Sequence, residues 1–193
     1  MTNTEDIVKS RIKEGNVFNG RREELISLFA ELGFTKGAEI GVKKANYSLF
    51  MCQNIPNLEL VCVDPWTGYG STSTGGMERL YQRSVEILSP YNVKIIRATS
   101  VEAEKLVPNN SLDFVYIDAA HDFDNVMVDI ILWSQKVRIG GIVSGHDYVD
   151  IHPFGVVQAV NIYTEIHKVG QFYITLPEYH RKLPVPSWFW VKK

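Results

Sequence analysis

Apolar residues gather along this chain in five short runs: AEIGV near 38–42, LELVCV near 58–63, VKIIR near 93–97, LDFVYI near 112–117 and GIVSG near 141–145. Between and after them the apolar positions recur every three or four residues, near 45–53, 76–89, 100–106, 122–137 and 155–168. The first pattern predicts buried strands and the second amphipathic helices. Strands that alternate with helices imply right-handed crossovers, a parallel sheet and helices on both of its faces. Near-continuous apolar strands fit a sheet covered on both sides.

The two ends of the chain depart from this rhythm. QFYITLP and SWFWVKK are joined by EYHRKLPVP, a short link with two prolines. Parallel strands need a longer crossover, so this pair is predicted to be an antiparallel hairpin. At the other end, TEDIVKSRIKEG and GRREELISLFAELGF both carry apolar residues at helical spacing, with Gly33 as a stop for the second. The reading is an N-terminal helical cap over residues 1–35 and one globular α/β unit over 36–193.

Composition adds bounds. The chain has 193 residues, 45% hydrophobic and 22% charged, with a formal charge of −2. That is one domain's worth of chain with a sizeable core. No basic patch appears, which disfavours nucleic acid as a partner. No apolar run approaches the roughly 18 residues that span a bilayer, and the polar start lacks the apolar core of a signal peptide. A cytoplasmic location is expected, with Cys52 and Cys62 as buried free thiols. The N-terminal helices are placed either to cap a site or to build a homodimer interface.

The chemistry collects where the strands end. Glu39 and Gly41 follow the first strand, Asp64 the second, Asp118 the fourth, and His146 and Asp147 the fifth, with His121 just past Asp118. In open α/β sheets, ligands bind beyond these carboxyl ends. Helix capping alone explains Asp122 as well as a functional role does. The first loop, AEIGVKKANYS, offers one of the three glycines that a pyrophosphate-binding loop requires. An acid at Glu39 repels phosphate and attracts ammonium. Asp64, about 25 residues on, stands where an acid grips ribose hydroxyls. Adenosine with a cationic amino-acid tail satisfies both.

The segments AEIGVKKANYS, LVCVDPW and LDFVYIDAAHDFDNVMVDIILWSQKVRIGGIVSGHDY, with the terminal hairpin, resemble the class I S-adenosylmethionine-dependent methyltransferases. Within them the chain resembles a small single-domain group with D-x-x-H and GHDY motifs. The resemblance covers about residues 36–193 and is most specific over 112–148. It implies a Rossmann-like seven-stranded sheet, mostly parallel, whose last strand is antiparallel. It implies S-adenosylmethionine contacted by Glu39 and Gly41 at the tail, Asp64 at the ribose, and Thr99, Ser100 and Val101 near the adenine, with Asp118 facing the reacting centre. Two departures are Ala45 for a loop glycine and Phe123 for a tyrosine.

Methyl transfer to a hydroxyl requires loss of its proton, which a divalent cation or a histidine can arrange. The resemblance to metal-dependent O-methyltransferases implies Asp118, His146 and Asp147 as metal ligands and His121 as the base. A histidine ligand moves the expected ion from Mg²⁺ toward Mn²⁺, Fe²⁺ or Zn²⁺. The polar, glycine-rich loop TGYGSTSTGG is placed as a lid, and Tyr69, Tyr148 and Tyr179 as pocket walls for a small-molecule or glycan acceptor. Trp66 is either a site wall or ordinary packing. The rival readings are a nicotinamide oxidoreductase, a non-catalytic S-adenosylmethionine-binding protein, and a lyase acting on the same cofactor.

Overall fold

The computed structural model describes residues 3–67, 74–180 and 182–193. Strands β3 (Lys36–Ile40), β4 (Glu59–Val63), β5 (Val93–Ile96), β6 (Leu112–Ile117) and β7 (Val137–Gly145) fall on the five apolar runs. They pair in parallel in the order β5-β4-β3-β6-β7. Helices α3 (Asn46–Asn54), α4 (Thr74–Leu88), α5 (Ser100–Ala103) and α6 (Phe123–Ser134) make the crossovers, and α7 (Val156–Ile166) follows β7.

The strand period separates two cores. Phe114 and Tyr116 of β6 point to one face, against helices α1 (Thr4–Ser10), α2 (Arg22–Glu31), α3 and α4. Val115 and Ile117 point to the other, against α5, α6 and α7. Burial on both faces explains why these strands are apolar throughout.

The C-terminal strands behave as expected. β11 (Trp188–Val191) runs antiparallel to β7 and to β8 (Tyr173–Ile174). Strands β5-β4-β3-β6-β7-β11-β8 form the anticipated seven-stranded set. The link between β8 and β11 folds into a separate hairpin, β9 (Glu178–His180) and β10 (Leu183–Val185).

The N-terminal segment departs from the purely helical prediction. Helix α1 ends at Ser10, and β1 (Ile12–Glu14) and β2 (Val17–Phe18) form a short ribbon beside β8. Gly15, at φ +55°, turns the ribbon, and Ile174 N–H donates to the Asn16 carbonyl at 3.0 Å. The cause is tertiary: the open edge of β8 presents unpaired backbone groups, and the ribbon satisfies them. Among the described residues the sheet thereby reaches nine strands. Among the described residues no helix is long and apolar enough to cross a membrane.

One contact tests this packing. A Cβ on Gly37 would enter the ring of Phe114, which stacks on Phe29 at 4.4 Å between centroids. We expect Gly37→Ala to cost about 1–3 kcal/mol through overpacking. Denaturant unfolding with no measurable loss would show that β3 and β6 do not face each other in this way.

Candidate active site

The order of the strands reverses between β3 and β6, since β4 and β5 lie on one side and β7 on the other. Ile40 pairs with Ile117, and Ile117 with Gly145, so the three strands end level. Gly41, Asp118 and His146 therefore emerge side by side. Gly41 has φ +93°, and a Cβ on it would collide with the Asp118 carbonyl. Only glycine lets the first loop cross this switch point.

Asp64 organises that loop from the end of β4. One carboxylate oxygen accepts from Val42 N–H at 3.0 Å and Lys43 N–H at 2.9 Å; the other accepts from Trp66 N–H at 2.6 Å. Oδ2 has both lone pairs engaged, and Oδ1 keeps one for a ligand. Beyond these strand ends lies a cleft of about 320 Å³, lined by Gly41, Asp64, Thr99, Ser100, Asp118 and His121 among others. That size suits a small-molecule site.

Some expected contacts lie elsewhere. Glu39 is not among the residues that line the cleft; its carboxyl is buried and accepts the Ser48 hydroxyl. Burial pushes Glu39 up to about 8, so it carries its proton at neutral pH. Val101 is half-exposed and also off the cleft wall. Trp66 is buried, with its indole N–H on the Lys43 carbonyl at 3.0 Å, as packing requires. Tyr148 donates to Asn161 at 2.8 Å, and Tyr179 is exposed. Most of the expected lid, including Tyr69, lies outside the described residues, while 74–76 belong to α4.

At one end of the cleft, Asp118, His121 and Asp147 bring one ligand atom each to within 4.8 Å of one another. His121 Nε2 is 2.9 Å from Asp147 Oδ2 and 3.9 Å from Asp118 Oδ1. His146, expected among the ligands, instead directs Nδ1 at Asp147 Oδ2 from 3.3 Å. Asp118, His121, His146 and Asp147 also share a cavity of about 10 Å³, room for about one water. Phe154 packs on the His121 ring at 4.6 Å, and Gly155 N–H donates to the His121 carbonyl at 2.8 Å. The Phe154 contact carried no signal in the sequence, because the loop 148–155 has no periodicity to place it.

Charge explains the cluster's state. Burial works against a proton on His121, but the carboxylates of Asp118 and Asp147 outweigh it and raise the imidazole to about 9. Burial opposes charge on Asp147 as well, yet the two histidines hold it well below the usual carboxylate range. The imidazolium is thus the counter-ion of two acids.

Asp129 joins the site in addition to the residues expected from the sequence. It is buried, lines the cleft and accepts the Ser100 hydroxyl. Its signal was present: Val126, Asp129, Ile130 and Trp133 fall on one helical stripe, and an acid in an apolar stripe is unusual.

Replacing Asp147 tests this electrostatic reading. Asparagine tolerates the left-handed backbone that Asp147 adopts at φ +56°. Asp147→Asn should lower the His121 pKa from about 9 by about one unit or more. Imidazole NMR titration would read it, and an unchanged value would remove Asp147 as the principal partner.

A family model described as a methyltransferase domain matches residues 38–148. A search of curated proteins finds no match. Among solved structures, the O-methyltransferase TomG from Streptomyces achromogenes, in complex with SAM, is 16% identical with a TM-score of 0.65, over 89% of this chain and 80% of that one. The O-methyltransferase from Bacillus cereus, in complex with SAH, is 15% identical with a TM-score of 0.66, over 98% and 90%. Precorrin-6y C5,15-methyltransferase from Geobacter metallireducens is 14% identical with a TM-score of 0.65, over 89% and 87%. At such identities the likeness establishes a shared fold. The family match, which spans more than half of the 193 residues, goes further: the chain belongs to the methyltransferase domain family and is a class I S-adenosylmethionine-dependent methyltransferase.

Proposed function

We propose that the protein transfers the methyl group of S-adenosylmethionine to a hydroxyl of a small-molecule or sugar acceptor, assisted by a divalent cation. The observation that carries this reading is the convergence of Asp118, His121 and Asp147 at one end of the cleft. Gly41 lies at the tail end of the cofactor, Asp64 at its ribose, and Thr99 and Ser100 at its base. The reacting methyl then faces Asp118.

The donor set fits a cation: one imidazole nitrogen and two carboxylate oxygens within mutual reach suit Mn²⁺, Fe²⁺ or Zn²⁺ better than an all-oxygen site would. Bound there, the ion would acidify the acceptor hydroxyl and orient it. His121 must be neutral to serve as a ligand, so metal and proton compete for it. In the transfer itself the acceptor oxygen attacks the methyl carbon. The carbon–sulfur bond breaks, its electron pair stays on sulfur, and the hydroxyl proton leaves to water, or to His121 where no cation occupies the imidazole. His121 accepts a proton only after losing the one that the two acids hold.

Three measurements check this. A chelator should abolish turnover, and restored Mn²⁺ should return it; full activity in chelator would remove the cation. Asp64→Ala should weaken S-adenosylhomocysteine binding by about tenfold or more, because a charged acceptor is lost; equal affinity by calorimetry would displace the ribose from β4.

The third is the pH response. His121 is raised from 6.5 to about 9. Its contribution to stability is therefore complete below pH 6.5 and lost as pH rises through 9. Unfolding of the metal-free protein should show that decline, and excess Mn²⁺ should flatten it by replacing the proton. A stability that rises over this range would contradict the assignment of His121 as counter-ion.

A further inference from the structure

Asp129 is a buried acid that the transfer step does not use. It is 3% exposed, on the buried face of α6. One carboxyl oxygen accepts the Ser100 hydroxyl; among the described residues no hydrogen bond reaches the other, Oδ2. The residue lines the cleft beside Thr99, Ser100 and Asn125. Burial, together with another carboxylate, Asp122, holds Asp129 up to about 6, and among the described residues no cation is a cause of its shift. A buried acid without a cation is costly unless a donor meets it.

Ser100 opens α5 directly after the loop from β5, so this corner is the end of the cleft farthest along the strand order from Gly41 and Asp118. A cofactor laid out from tail at β3 through ribose at β4 ends here with its purine. Adenine offers one exocyclic donor, the 6-amino group. The open Oδ2 is an acceptor held in place by Ser100, and the amine is what it lacks.

We propose that Asp129 Oδ2 accepts a hydrogen bond from the 6-amino group of the cofactor's adenine, which makes Asp129 a specificity-determining residue for the purine. The proposal rests on the cofactor reading given above. Ser100 acts through Asp129 and is a positioning residue: its hydroxyl fixes one oxygen and leaves the other for the purine.

The chemistry predicts an exchange of preference. In Asp129→Asn, the amide oxygen takes over the Ser100 hydroxyl, and the amide nitrogen presents a donor to the purine. Hypoxanthine carries an acceptor at position 6 where adenine carries a donor. The natural protein should bind S-adenosylhomocysteine more than about tenfold more tightly than S-inosylhomocysteine, as a site built for a donor rejects the analogue without it. Asp129→Asn should lose or reverse that ratio.

Calorimetry with both ligands reads the result, and circular dichroism checks that the variant is folded. The natural protein alone decides half of the question, whatever the variant does. If it binds S-adenosylhomocysteine but shows less than about threefold discrimination, the inference is overturned. An unchanged ratio in a folded Asp129→Asn overturns it too. If the natural protein binds neither ligand, the cofactor reading itself falls, which is a separate outcome.

Discussion

Two carboxylates at the ends of neighbouring parallel strands cannot both stay ionised in a partly buried corner without a positive charge between them. That constraint shapes the site. Pairing of β6 with β7 sets Ile117 opposite Gly145, so Asp118 and the His146–Asp147 pair leave the sheet together. Asp147 adopts φ +56°, an uncommon conformation for a side-chain-bearing residue. The surroundings hold it there. Its carboxylate faces two imidazoles, Tyr148 N–H donates to the Pro186 carbonyl at 3.0 Å, and the Trp188 indole donates to the His146 carbonyl at 3.1 Å. Strain concentrated at a site and supported on all sides is the pattern expected of a functional centre.

The cofactor side obeys a backbone constraint. Gly41 is required because the first loop crosses directly over the Asp118 carbonyl. Ala45, where the related loops carry glycine, takes φ +55° and is fully buried. The left-handed turn costs an L-residue roughly 1–2 kcal/mol. Hydrogen bonds offset it: Ala45 N–H donates to the Val42 carbonyl at 2.8 Å, and Leu49 N–H to the Ala45 carbonyl at 3.0 Å. A loop with one glycine therefore still reaches the conformation, because Asp64 pins Val42 and Lys43 from the neighbouring strand.

The sequence made β3 to β7 legible because both their faces are buried, which leaves an unbroken apolar signature at each. The acids at their ends were legible for the same reason, since polarity stands out after such runs. The β1–β2 ribbon was not, because Ile12–Phe18 has no period of its own and takes its shape from the edge of β8. The division of labour between His121 and His146 was also hidden. Both follow a strand within a few residues, and only the folded chain shows that His121, and not His146, joins Asp118 and Asp147. Asp129 was readable in principle, as an acid on an apolar stripe, but its value depends on Ser100, 29 positions away.

Charge also gives the reaction a direction. Without a metal, two carboxylates and one imidazolium leave the Asp118–His121–Asp147 cluster with a single negative charge. With a divalent cation and a neutral imidazole it carries none. In neither state does it repel a sulfonium. Glu39, buried and off the cleft wall, stays neutral and adds no charge to it. Methyl transfer then removes the sulfonium charge while leaving the tail and the adenosine unchanged. In the proposed layout the product would keep its contacts with Asp64 and the purine corner, while the negative, metal-free cluster would lose its attraction for the sulfur. The interaction that discriminates the two forms of the cofactor would then lie where the chemistry occurs.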